Sequence, residues 1–137
     1  MDKNLEKQRH SFSHVLASAV KKIYPDAKIG MGPAIDNGFY YDFKNVSISE
    51  DDFQKIEKEM KEIIKKDLKF EKQVIAKNQA KDLFKNDPYK LELVEDLKGE
   101  ELSVYKTGDF VDLCKGPHVE STGKLNSEAF KLDRVAG

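Results

Sequence analysis

An α+β fold with a mainly antiparallel sheet, packed against a central N-terminal helix and a second long amphipathic helix, follows from three features of the sequence. Two long stretches carry apolar residues at helical spacing, and several short apolar or aromatic stretches bounded by turn residues read as strands. These alternate without the regular βαβ order of a parallel sheet. The 137 residues, 36% charged and 39% apolar, are the composition of one domain with one core. At that size burial suffices for stability without disulfides or a structural metal.

The first helix is predicted over Asn4 to Tyr24, where Phe12, Leu16, Ala19 and Ile23 fall on one side and Pro25 ends the run. Ser11, Ser13, Ala17, Ser18 and Ala19 around that stripe let other backbone approach closely, which suits a central helix. Lys28 to Ile35 and Phe39 to Phe43, joined through Asp36-Asn37-Gly38, read as a hairpin. Ser49 is a natural N-cap for a helix whose acidic first turn, Glu50-Asp51-Asp52, favours the positive end of its dipole. Phe53, Ile56, Met60, Ile63 and Ile64 form its buried stripe. Glu57 with Lys61 and Glu62 with Lys66 are i,i+4 pairs on its wet side. A strand is predicted over Lys69 to Ala76, a short helix over Asn78 to Lys85, and another from the Asp87-Pro88 turn through Glu95. Strands over Leu102 to Tyr105, Asp109 to Cys114 and Ala129 to Val135 complete the reading.

Composition narrows the function. A formal charge of −1 provides no global positive field of the kind that marks a stand-alone nucleic-acid binder. Of 24 basic residues only Arg9 and Arg134 are arginines, so the basicity lies in mobile lysine point charges. One cysteine fits a reducing, cytoplasmic setting. Neither a signal-peptide pattern at the N-terminus nor 18 consecutive apolar residues occurs, so no membrane partner is expected.

All three histidines and the single cysteine sit in two short motifs, His10-Ser11-Phe12-Ser13-His14 and Cys114-Lys115-Gly116-Pro117-His118. On a helix, His10 and His14 lie one turn apart on one face. Gly116-Pro117 forbids a helix in the second motif, which places Cys114 and His118 on either side of a tight turn at a strand end. Strand alternation puts Phe110, Asp112 and Cys114 on one face, so a carboxylate shares a side with the only thiol. His10, His14, Cys114 and His118 make a set of nitrogen and sulfur donors that zinc accepts. The same set without metal can hold a water between imidazoles that exchange its proton near neutral pH. Thiol nucleophilic catalysis is a third reading, with no helix N-terminus predicted beside Cys114 to activate it.

A helical HxxxH followed about a hundred residues later by CxxxH resembles the editing domain shared by threonyl- and alanyl-tRNA synthetases. The threonyl branch is favoured by Ile29-Gly30-Met31-Gly32-Pro33-Ala34, Gly38-Phe39-Tyr40-Tyr41-Asp42-Phe43, Pro88-Tyr89-Lys90, and the run Gly108 to Val119 with Ser121-Thr122-Gly123-Lys124. Lys115 stands where the usual CRGPH turn has arginine.

The resemblance implies hydrolysis of the ester of seryl-tRNA(Thr) by His10, His14, Cys114 and His118 around a water. Lys90 and Asp112, at positions matching the family's functional lysine and aspartate, would place positive charge at the leaving ribose hydroxyl and hold the substrate's amino group. Tyr40, Tyr41 and Lys115 are the expected substrate-binding residues, the tyrosines as stacking surface for the terminal adenine and Lys115 as a phosphate or carboxylate contact. No cofactor is expected for editing, with zinc at the His/His/Cys/His set as the alternative; ATP belongs to a catalytic core outside this sequence. The implied partners are the acceptor end of tRNA(Thr) carrying serine and the catalytic and anticodon-binding domains of a parent synthetase, with no DNA. Residues 1–137 are then a single editing domain excised from a longer synthetase. A free-standing deacylase of the alanyl type with bound zinc and a non-catalytic metal- or tRNA-binding module are the competing readings.

Overall fold

The computed structural model describes residues 3–135. Helix α1, Lys3–Ile23, is the organising element: the seven consecutive residues from Ser11 to Ala17 are all buried. A surface helix buries one stripe; one buried on every side runs through the middle of its domain. Small side chains make this possible. The Ser13 hydroxyl lies between the carbonyls of Gly32 (2.8 Å) and Tyr40 (2.7 Å). A Cβ on Gly32 would collide with Ser13 and Tyr41, so this crossing requires glycine.

The hairpin over α1 comes in two short pieces. Strand β1, Lys28–Ile29, pairs antiparallel with β4, Phe43–Lys44, and β2, Ala34–Ile35, with β3, Gly38–Phe39. Arg9 Nη1 donates to the carbonyls of Ile35 (2.8 Å) and Asp36 (2.6 Å) and fastens the tip to α1. A 3-10 turn, Glu50–Asp52, leads into α2, Phe53–Lys65, and Asp52 Oδ2 accepts the Ser49 N–H at 2.9 Å. Ile56, Met60, Ile63 and Ile64 of α2 bury against Phe12, Val15, Leu16, Ala19 and Val20 of α1, as the stripes predict.

A three-stranded antiparallel sheet covers the other side. Its order is β5, Glu71–Ala76, then β6, Glu101–Thr107, then β7, Phe110–Leu113. Between β5 and β6 run α3, Lys77–Leu83, and α4, Pro88–Asp96. These helices build a second core of Ala80, Phe84, Val94, Leu102 and Val104 with Ile29. Asp87 Oδ1 accepts the Ile29 N–H at 3.1 Å and ties the hairpin to the start of α4. Among the described residues no helix is long and apolar enough to cross a membrane.

The α+β class and the antiparallel pairing stand, while the predicted single sheet is three separate ones. The strand expected over residues 129–135 is absent from the described part of that segment. Two of its apolar residues, Phe130 and Leu132, pack partly buried against the core instead: Phe130 lies on Phe12, ring centroids 5.3 Å apart, and the Leu132 N–H donates to Glu57 Oε2 at 2.8 Å. A side chain thus satisfies a backbone donor that a ladder would otherwise need. Glu57 is therefore engaged with Leu132, and its expected partner Lys61 lies 3.8 Å from Glu128.

Candidate active site

His14 and His118 arrive from opposite ends of the sequence and meet edge to face, ring centroids 5.3 Å apart. His10 stands one turn of α1 away, 6.1 Å from the His118 ring. Aromatic rings wall the cluster: Phe70 stacks on His118 at 4.9 Å, Tyr105 meets it edge-on at 4.5 Å, and Phe70 and Phe110 pack on His14 at 5.2 and 4.9 Å. Such walls exclude water from the imidazoles and penalise their charged forms. Burial, with the Lys90 charge adding to it, pushes His14 down to about 3. Burial and then the neighbouring His14 and His10 bring His118 to about 3 as well. Half-buried His10 is lowered by desolvation, against the pull of Glu6. At neutral pH the cluster is a set of uncharged imidazoles. The Nε2 atoms of His14 and His118 are both buried and have no hydrogen-bond partner.

The Cys114 to His118 turn is held by its glycine. Gly116 has φ +85°, and a Cβ there would come 2.6 Å from the Tyr105 hydroxyl oxygen. Its N–H donates to Cys114 Sγ at 3.2 Å. Burial pushes the Cys114 thiol up, with the Gly116 N–H opposing, so the sulfur is a neutral thiol near pH 7.

Beside the imidazoles lies a nearly saturated polar corner. Lys90, projecting from α4 and only 2% exposed, places Nζ 2.6 Å from Asp112 Oδ1. The same oxygen accepts the Leu113 N–H at 2.8 Å, and Oδ2 accepts the Tyr41 hydroxyl at 2.6 Å. Three of about four acceptor positions on the carboxylate are filled, leaving one on Oδ2. Burial and the Asp112 charge hold the Tyr41 hydroxyl well above its ordinary range, so it remains a donor. Lys90 Nζ also lies over the Tyr41 ring, 5.8 Å from its centroid.

The fold thus brings His10, His14 and His118 together, with Lys90, Asp112 and Tyr41 forming the corner whose Lys90 charge acts on both His14 and Cys114. Tyr40 is 41% exposed, Lys115 is exposed, and the Tyr41 ring stacks on Phe43 at 4.9 Å. Among the described residues no three His, Cys, Asp or Glu side chains converge as a metal ion requires. Two groups of contributors escaped the sequence reading. Phe70 and Tyr105 form walls of the cluster but lie in other segments, with no spacing that links them to the motifs. Ser11 lies inside HxxxH, where only its small size drew notice, yet its Oγ bonds His118 Nδ1 at 3.1 Å and the Val119 N–H at 2.9 Å.

Residues 102–136 match the family described as the threonyl and alanyl tRNA synthetase second additional domain. The threonine–tRNA ligase of Acetivibrio thermocellus is 56% identical over 133 residues, 94% of this chain and 21% of the relative. That of Thermotoga petrophila is 51% identical over 133 residues, 94% of this chain and 20% of the relative. That of Staphylococcus carnosus is 49% identical over 138 residues, 99% of this chain and 21% of the relative. The chain spans about a fifth of the length of the relatives it matches. Over nearly its whole length the chain is similar to one segment of the threonine–tRNA ligases, and within it residues 102–136 match the second additional domain of threonyl and alanyl tRNA synthetases.

Proposed function

We propose that residues 1–137 act as an editing domain within a threonine–tRNA ligase, hydrolysing the ester of seryl-tRNA(Thr). The observation that carries this reading is the pair of neutral imidazoles, buried His14 and partly buried His118, whose Nε2 atoms are both buried and unpartnered. Unsatisfied buried polar atoms are costly, and a ligand that satisfies them recovers that cost. The need for such a site is physical. Serine lacks one methyl of threonine, and a methyl is worth only about 1–3 kcal/mol of discrimination, too little for one binding step.

In this mechanism a water held against the histidine cluster attacks the ester carbonyl while an imidazole lone pair accepts its hydrogen bond; the bond to the ribose oxygen breaks and the water's proton passes to that 3′-oxygen. Lys90, fixed by Asp112, provides positive charge towards the 3′-oxygen that leaves the carbonyl carbon. The remaining acceptor position on Asp112 Oδ2 suits the α-ammonium of serine. Cys114, a neutral thiol, lines the site and does not attack. The mechanism assigns no part to a metal. The terminal adenosine rests against exposed Tyr40 and Lys115. Aminoacylation with ATP belongs to other domains of the parent enzyme, in the cytoplasm.

The test is release of serine from seryl-tRNA(Thr) against release of threonine from threonyl-tRNA(Thr). A charge of −1 and only two arginines mean that the chain holds tRNA weakly, so the assay requires high protein concentration and low salt. Serine release with threonyl-tRNA spared is expected. Preference for alanyl-tRNA, or no turnover by folded protein, rejects the proposal.

A further inference from the structure

We infer that Ser11 is a positioning residue: it holds His118 as the Nδ1-protonated imidazole, so that the buried Nε2 offers a lone pair to a proton-bearing group of the bound substrate or water. The protons available at one oxygen decide the tautomer. Ser11 Oγ has three polar neighbours: the Lys7 carbonyl at 2.8 Å, the Val119 N–H at 2.9 Å and His118 Nδ1 at 3.1 Å. The Lys7 carbonyl only accepts and the Val119 N–H only donates. A hydroxyl has one proton, and the Lys7 carbonyl takes it. The third neighbour must then bring its own proton, so Nδ1 carries the hydrogen and donates to Oγ. The opposite assignment would set two acceptor oxygens 2.8 Å apart with no proton between them. Proton positions follow here from the whole network rather than from one contact.

The consequence appears at the other side of the ring. A neutral imidazole protonated on Nδ1 has a bare Nε2, and in His118 that atom is buried without a partner. Within the editing reading proposed above, on which this half of the inference rests, His118 accepts a hydrogen bond from water or from an ammonium and does not donate to the ester carbonyl. Ser11 is itself fully buried and bonds both the His118 ring and the next backbone N–H. One hydroxyl therefore sets where the turn lies against α1 and which nitrogen of its histidine is available.

The experiment has two arms. Nitrogen-15 spectra of histidine-labelled protein read the tautomer of His118 directly, without substrate and without any variant. Protonation at Nδ1 in the unmodified chain is expected; protonation at Nε2 overturns the inference. Ser11→Ala is expected to lose the fixed Nδ1–H signature and to slow seryl-ester hydrolysis by about a hundredfold. Ser11→Thr, which keeps the hydroxyl, is expected to keep both the signature and most of the rate. A folded Ser11→Ala protein with unchanged tautomer and rate also overturns it. If the unmodified chain shows Nδ1–H yet releases no serine, the editing proposal fails while the role of Ser11 in setting the tautomer stands.

Discussion

The histidine cluster and the Lys90–Asp112 corner are adjacent and built on opposite principles. In the corner every strong group has a partner: Asp112 receives Lys90, Tyr41 and the Leu113 N–H at 2.6 to 2.8 Å. In the cluster two ring nitrogens are left without one. A saturated network is rigid and resists change, whereas an unsatisfied buried lone pair is a standing cost that a bound group removes. The corner holds its members in place and keeps a single acceptor position on Asp112 Oδ2, whereas the cluster keeps two unpartnered ring nitrogens.

The largest effect is expected from breaking the corner. Lys90→Met leaves the Asp112 carboxylate buried and unpaired, which should cost about 3–5 kcal/mol in urea unfolding and abolish hydrolysis. Adding Asp112→Leu should restore most of that stability but none of the rate. If the double variant recovers the rate, the corner plays no part in the chemistry. Next come His14→Ala and His118→Ala. Each is expected to lower single-turnover hydrolysis of seryl-tRNA(Thr) by about 10²–10⁴ while destabilising the fold less than Lys90→Met does. Unchanged rates in both would dissolve the distinction between the two regions.

The pH dependence of stability separates the regions directly. His14 and His118 titrate near 3 in the folded chain against an ordinary value of 6.5, so between those limits the unfolded chain binds more protons. Stability is then complete above about pH 6.5 and falls as pH drops towards 3, by up to about 1.4 kcal/mol per pH unit for each histidine. Urea unfolding across that range measures the slope, and His14→Ala should reduce it by about half. A slope that survives replacement of both residues would place its origin elsewhere. The smallest effect expected is none: zinc chelation followed by dialysis should leave hydrolysis unchanged. Stoichiometric zinc retained through dialysis, with activity lost on its removal, would turn the cluster into a metal centre.

Much of this was legible in the sequence, and particular residues show where legibility stops. HxxxH on a predicted helix put two imidazoles on one face, and period-two alternation put Asp112 beside Cys114, because both relations are local. Lys90 had nothing except a family motif to distinguish it among the lysines; its buried partner lies across the domain on β7. The predicted strand over residues 129–135 has sufficient apolar residues, but Phe130 and Leu132 pack against the core rather than in a ladder. Propensity describes what a segment can do, and tertiary contacts choose among the options.

The sequence by itself determined the helices, the antiparallel hairpins, the turn at Gly116 and the residue types available for chemistry, since periodicity, capping and backbone sterics act over a few residues. Only the tertiary structure decided which nitrogens were buried, which lysine met a carboxylate and which tautomer His118 must adopt. Desolvation and hydrogen-bond partnership depend on neighbours in space, and here those neighbours lie up to about a hundred residues apart along the chain.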